Sequence, residues 1–514
     1  MEESRPAGAT EVAPTAGLAH RVVILSVAAG LLLRGLEAAG KSLWLDELHT
    51  LDIVSRSSLA ELNAALMQDV HTPAFYVAVH ALKGVLAPHA LRWIAIVPSL
   101  LALAPLLAIA RNAGLSSVAR VVVAGLFATL PFQIQWGAEL RPYAWLEFAA
   151  VTATWAAFTP SHTTRGRLAL CFAFAGSVAL GLYTHFAMGL LVVAIGAVRL
   201  VLRRPGWPSL ADLVGWGVLG VALFFPWVAT THPMLILHPP WREAEEVAAD
   251  TKGLDAEAAQ EMRHQDADLG QKLAQVPAQM LVPRIWSLHG AWAYLVLGGF
   301  VGLLVGLAGL VGGALAGRRE GRRPGAELVG AVCVSALAAV ALAVASVQLK
   351  SRLPLQYFAL SAWAWPLVYG ALVDGLPARR RTLAARVLVA ASATAGLGQA
   401  LGAPREDLQG AVRFAVEKAT ASDAWLTAIL WQTGTYARNT LFQVYAPEAH
   451  VVEPGTVPGV LEADGQRPVV VVTRNAPDKG PTNWADWGPL QEGRKRIDAA
   501  HFEGRVSVYV WGPR

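Results

Sequence analysis

Residues 22–39 read VVILSVAAGLLLRGLEAA, and residues 40–48 continue as GKSLWLDEL. The first stretch is an apolar run close to the ~20 residues a helix needs to cross a bilayer. The second sets two adjacent carboxylates, Asp46 and Glu47, just past its end. Acids at a membrane surface are costly to place and mark function more often than acids on a soluble loop. The apolar habit continues through the 514-residue chain, which is 54% hydrophobic and 15% charged. That is too apolar for a soluble protein of this size, and the expected class is a multi-spanning membrane protein.

The net charge of +5 does not point to nucleic acid, because the arginines fall in pairs and triplets between apolar runs: Arg203-Arg204, Arg318-Arg319, Arg322-Arg323 and Arg379-Arg380-Arg381. This is the pattern of cytoplasmic loops. Cys171 and Cys333 each lie inside an apolar run, so neither a disulfide framework nor a thiolate metal site is expected. Residues 1–21 lack the basic start and small-residue cleavage site of a secretory signal, and read as a disordered cytoplasmic tail.

One segment decides the topology. Pro73–Ala87 contains His80 and Lys83, and its length suits a juxtamembrane or re-entrant helix better than a crossing one. Leaving it out gives spans at Val22–Ala39, Leu91–Ala110, Val121–Gly137, Tyr143–Phe158, Leu168–Tyr183, Ala187–Leu202, Leu210–Ala229, Ala291–Ala316, Ala326–Val347, Leu355–Asp374 and Val387–Gly402, about eleven in all. With the N-terminus inside, Arg111/Arg120, Arg165/Arg167, Arg203/Arg204, Arg318–Arg323 and Arg379–Arg386 all become cytoplasmic. Counting Pro73–Ala87 as a span would reverse every one of them. Arg34, within the first span, is expected to snorkel or to face a polar cavity.

The expected fold is therefore an all-α polytopic membrane domain over residues 22–403, with external loops at 40–90 and 230–290. A small extracytoplasmic α/β domain follows over 404–514. Its expected strands are Ala424–Leu430, Val469–Thr473 and Val506–Trp511, with helices at Asp407–Thr420 and near Tyr436–Tyr445. The same assignment gathers Asp46, Glu47, His49, Asp69, His71, Glu139, Arg141, Tyr143, His185, Lys350, Arg352 and Tyr357 on the outer face.

Four motifs now stand in order: Trp44-Leu45-Asp46-Glu47, His71-Thr72-Pro73 leading into Phe75-Tyr76, Glu139-Leu140-Arg141-Pro142-Tyr143, and Leu182-Tyr183-Thr184-His185. Together they resemble the C-fold (GT-C) membrane glycosyltransferases, in particular bacterial relatives of protein O-mannosyltransferases and of the lipid A aminoarabinose transferase. Arg405-Glu406-Asp407, opening the C-terminal domain, also looks like bacterial members. Family members usually carry His-Pro-Pro where this chain has His71-Thr72-Pro73. They have an adjacent Arg-Tyr where it has Arg352 and, five residues on, Tyr357.

The resemblance implies transfer of a hexosyl or pentosyl group from a polyprenyl-phosphate carrier to an envelope acceptor, a lipid, a glycan or a protein, with inversion. The reaction would take place on the extracytoplasmic side of the inner or plasma membrane. Such a reaction needs a carboxylate to take the acceptor proton, cations to hold the departing phosphate, and access from the lipid phase. Asp46 suits the first role, with Glu47 orienting the acceptor or tuning Asp46; the plain alternative is that the pair caps a helix N-terminus. Arg141, Lys350 and Arg352 suit the second, with Tyr357 as an aromatic-hydroxyl partner. Their alternatives are an ion pair with Glu139 and simple interfacial anchoring.

His71 and His185 either donate to the phosphate or act as interfacial residues, and Tyr143 closes the Arg141 motif. The apolar Pro73–Ala87 helix could wall a groove for the prenyl chain or merely pack against neighbouring spans. Asp69 and His71 with the acid pair would make half a metal site at most, and no metal or other cofactor is expected. The partners expected are the bilayer, the lipid-linked sugar and an unidentified acceptor. From other classes, a flippase or transporter of lipid-linked glycans tends to carry internal repeats and midplane charges, which are not seen. An O-antigen ligase or polymerase would place arginines in a large late loop, where Arg242–Gln275 is acidic instead.

Overall fold

A computed structural model describes residues 16–66, 72–231, 325–348, 358–402, 407–429, 436–451, 467–474, 494–502 and 506–513. Asp69, His71, Lys350, Arg352 and Tyr357 lie outside the described residues. So do the expected span Ala291–Ala316 and the external loop from residue 232 to Gly290.

The first apolar run forms α1 (Ala16–Gly40), and after a four-residue non-helical break, extended at Trp44, the acid pair opens α2 (Leu45–Val54). Next come α3 (Leu59–Leu66), α4 (Pro73–Leu82), α5 (Trp93–Leu101), α6 (Leu103–Asn112), α7 (Ser117–Thr129), α8 (Pro131–Ala138) and α9 (Tyr143–Phe158). The bundle continues with α10 (Thr164–Leu182), α11 (Met188–Val201), α12 (Leu210–Thr231), α13 (Ala326–Gln348), α14 (Ala359–Ala362), α15 (Trp365–Asp374) and α16 (Ala378–Leu401).

Among the described residues, five stretches are long and apolar enough to cross a membrane: Arg21–Gly40, Ala90–Asn112, Thr164–Leu182, Leu210–Ala229 and Ala378–Leu401. α4 has 10 residues, so at ~1.5 Å rise per residue it is about half the length needed to cross hydrocarbon. Pro73 at its first turn starts it, where a missing N–H costs nothing.

The bundle departs from a row of straight spans in two places. Val121–Gly137, expected as one span, is α7 and α8 bent by 50°. Pro131 cannot donate to the preceding turn, and Leu130 before it is extended at ψ 132°. Leu355–Asp374 is likewise divided, into α14 and α15 where it is described.

The first break explains Arg34. Its guanidinium is fully buried rather than snorkelling. It donates to Ala128 O at 3.0 Å and Phe127 O at 3.4 Å, in the turn that Pro131 interrupts, and to Ser99 Oγ at 3.0 Å. Gly137 makes room for it: a Cβ there would lie 2.7 Å from Arg34 Nε and 2.4 Å from Ser99 Oγ.

Beyond α16, α17 (Leu408–Ala421) starts at Asp407, whose side chain accepts from Gly410 N at 2.8 Å. It turns Leu408, Ala411, Val412, Ala415 and Ala419 inward at helical spacing. They cover a four-stranded sheet of β1 (Trp425–Ile429), β2 (Val469–Arg474), β3 (Arg494–Phe502) and β4 (Val506–Pro513), in the order β1-β2-β4-β3. β1 runs parallel to β2, with Leu426 opposite Val470, and β4 is antiparallel to both β2 and β3. The sequence reading missed β3, whose Arg494-Lys495-Arg496 start conceals an edge strand. α18 (Tyr436–Tyr445) lies between β1 and β2 in the chain. The core of this unit is continuous with that of α2 to α4: Leu43, Leu48, Leu51, Phe75 and Tyr76 belong to one buried cluster with Leu441, Val470 and Val510.

Candidate active site

The site is built on the non-helical stretch Lys41–Trp44. Its backbone groups must be satisfied away from water, and three side chains do this. Arg92, at the start of α5, donates to Lys41 O at 2.9 Å and Ser42 O at 3.1 Å, and also to Ala38 O at 2.7 Å at the end of α1. Tyr445, from the C-terminal unit, lies 2.5 Å from Leu43 N and 3.4 Å from Leu43 O. Glu47 accepts from Trp44 N at 3.2 Å, the reach-back of an N3 acid toward the N-cap.

Glu47 is wholly buried and its carboxylate is saturated. Arg92 binds it as a two-pronged fork, Nε to Oε1 at 2.7 Å and Nη2 to Oε2 at 2.5 Å. Leu140 N, in the loop between α8 and α9, donates to Oε1 at 2.7 Å. With Trp44 N this makes four bonds, as many as a carboxylate has lone-pair sites. Arg92 in turn places all five of its N–H donors. The pair thus ties α1, α2, α5 and the α8–α9 loop together.

Asp46 precedes Glu47 by one residue, and successive residues on a helix project about 100° apart. It sits in the first turn of α2, half-buried, where the helix dipole favours negative charge. Its carboxylate makes no hydrogen bond or ion pair to a described residue. Its backbone carbonyl accepts from Arg141 Nη1 at 3.3 Å. The same nitrogen lies 3.2 Å from Thr50 Oγ1, one turn further along α2, and 3.3 Å from the Tyr76 hydroxyl on α4. The guanidinium, in a buried residue, stands 5.9 Å from the centre of the Tyr143 ring, and Tyr143 packs edge-on against Trp136 at 5.7 Å. Trp44, Phe132, Trp136, Tyr143 and Phe358 form one apolar cluster beside these polar groups.

The fold brings Asp46, Glu47, Arg141 and Tyr143 together. Glu139 lies in the same loop, its carbonyl accepting from Arg141 N at 2.7 Å and its carboxylate from Gln135 Nε2 at 3.2 Å. His185 occupies the turn between α10 and α11. Its Nδ1 accepts from Ala187 N at 3.0 Å, so a neutral ring carries its proton on Nε2. That turn adjoins the start of α4, where Ala74 N donates to Tyr183 O at 2.8 Å.

Four contributors escaped the sequence reading: Arg92, Thr50, Tyr76 and Tyr445. Arg92 had a signal, a charge at the mouth of an apolar run on the side of Asp46. Thr50 follows Asp46 at i+4 spacing, and Tyr76 sat in a motif already noted. Tyr445, about 400 residues from Leu43, had none.

No family model matches the sequence, and no curated protein matches it. The fold is similar to that of ArnT from Cupriavidus metallidurans. In the apo state the TM-score is 0.52 at 14% identity, over 96% of this chain and 98% of that one. In the crystal structure bound to undecaprenyl phosphate it is 0.52 at 13%, over 97% and 98%. The apo oligosaccharyltransferase of Archaeoglobus fulgidus aligns at a TM-score of 0.45 and 13% identity, over 89% of this chain and 70% of that one. The likeness to ArnT is one of fold, and it runs over nearly the whole of both chains.

Proposed function

We propose that this chain is a membrane glycosyltransferase that moves a sugar from a polyprenyl-phosphate carrier to an envelope acceptor, with Asp46 as general base. One observation carries the reading: of two neighbouring acids, Glu47 is saturated by the scaffold, while Asp46 is left uncommitted beside a buried arginine. A general base must keep its lone pairs for the acceptor proton. The undecaprenyl phosphate in one ArnT structure supports the donor class.

In this reaction Asp46 takes the proton of the acceptor hydroxyl as its oxygen bonds to the anomeric carbon. The bond from that carbon to the phosphate oxygen breaks, its electron pair leaves with the polyprenyl phosphate, and configuration inverts. Arg141 meets the charge that develops on the phosphate, with the Tyr76 hydroxyl as its neighbour. Lys350, Arg352, Tyr357 and His71 are assigned to the same phosphate, and His185 to the edge of the site next to α4. Glu47 positions Asp46 without touching substrate. The positive-inside pattern supports about eleven spans, with the site and the C-terminal unit on the extracytoplasmic face.

The test is to follow release of polyprenyl phosphate from a panel of polyprenyl-phosphate sugars with the parent and Asp46→Asn. The Asn variant should lose about 10²–10⁴-fold in turnover. Parental turnover on a substrate the parent uses would remove Asp46 as base.

A further inference from the structure

The C-terminal unit is not a passive appendage. Tyr445 is the last residue of α18, and its hydroxyl reaches the stretch that aims the acid pair, pairing with both backbone groups of Leu43. Leu43 is wholly buried, so no water can replace those bonds without the stretch moving. The neighbours on each side are held from elsewhere. Arg92 takes the carbonyls of Lys41 and Ser42, and Glu47 takes the N–H of Trp44. Leu43 is the one link in Lys41–Trp44 whose described side-chain partner comes from the C-terminal unit. The ring is seated as well: His89 packs against it at 6.1 Å, on the turn that leads into Arg92. Burial pushes the Tyr445 hydroxyl well above the usual tyrosine range, so it stays protonated and able to donate.

We infer that Tyr445 is a positioning residue for Asp46: by holding Leu43 it sets where α2 begins, and so where the Asp46 carboxylate stands relative to Arg141. The inference rests on the transferase reading. Its structural consequence is that the membrane half of the site is complete only with the C-terminal unit docked. Arg141 is bonded to the Asp46 carbonyl and to Thr50, but its backbone belongs to the loop between α8 and α9, so a tilt of the first turn of α2 strains those bonds and shifts the Asp46 carboxylate relative to the guanidinium.

Tyr445→Phe keeps the ring and removes only the hydroxyl. In nanodiscs, hydrogen exchange of peptides spanning Leu43–Thr50 should accelerate in this variant, with β2 unchanged. With the donor the parent uses, kcat should fall about 10- to 100-fold, while KM for the donor stays within about twofold. Lys418→Gln, which breaks the exposed Lys418–Asp498 pair in the same unit, should change neither reading. Unchanged exchange at Leu43–Thr50 overturns the hold. Faster exchange with parental kcat overturns the positioning role and leaves a merely structural tyrosine. If the parent turns over no donor, the transferase reading fails, and the exchange measurement still decides whether Tyr445 holds Leu43.

Discussion

Asp46 and Glu47 are adjacent, alike in charge and set in one helical turn, and the structure predicts opposite consequences for removing their charges. Glu47→Gln is nearly isosteric. If the new carbonyl keeps the place of Oε1, it still accepts from Arg92 Nε and Leu140 N. Its amide then faces Arg92 Nη2 and Trp44 N, both donors. Two bonds become donor–donor contacts, and the Arg92 charge, with its side chain 5% exposed, loses its counter-ion. Breaking a buried pair from one side costs about 3–5 kcal/mol.

Asp46→Asn removes a half-buried charge that makes no hydrogen bond or ion pair to a described residue. It forfeits only the helix-terminus term, about 0.3–1 kcal/mol. Equilibrium unfolding by SDS in mixed micelles, alongside release of polyprenyl phosphate, measures both quantities. Glu47→Gln should lose stability severely, whereas Asp46→Asn should stay near the parent in stability and lose turnover. The double variant Glu47→Leu/Arg92→Met should be more stable than Glu47→Gln alone, since no charge is then stranded. A Glu47→Gln protein within 1 kcal/mol of the parent would refute the clasp, by the same order-of-magnitude reasoning.

Three further outcomes follow from the geometry. Arg141→Lys keeps a charge that could meet Asp46 O, Thr50 and Tyr76, all of which one guanidinium nitrogen now contacts, but loses the planar fork that would bind phosphate oxygens; turnover should fall about 10²-fold with folding retained, measured by product release and size-exclusion profile. Gly137→Ala puts a methyl against Ser99 and Arg34 and should cost about 1–3 kcal/mol by overpacking, read in the same SDS titration. Desolvation first, and then the Arg92 charge, lower the His89 pKa from its ordinary value. The unfolded chain therefore takes up a proton that folded His89 resists, and stability falls as pH drops through and below about 6.5. The thermal midpoint of the parent should decline between about pH 7 and 5, and His89→Gln should flatten that decline.

Much of the site could be read from residue order, because charge within an apolar chain is conspicuous. Asp46 and Arg141 stood out as charges at span ends, and in the structure Arg141 reaches the Asp46 carbonyl. The bend at Pro131 was legible in principle, since proline withholds a donor wherever it falls. β3 was hidden for the opposite reason: an edge strand pairs on one side and can carry Arg494-Lys495-Arg496 without the apolar alternation that betrays an inner strand.

By itself the sequence determined that this is a membrane chain and which acids and cations border its spans, because transfer from water into hydrocarbon acts on each residue where it stands. Only the tertiary structure decided which of the two acids is spoken for. Neighbours on a helix look in directions about 100° apart, and what each one meets is set by residues far away in the chain. Glu47 meets Arg92 and Leu140, while the Asp46 carboxylate makes no hydrogen bond or ion pair to a described residue.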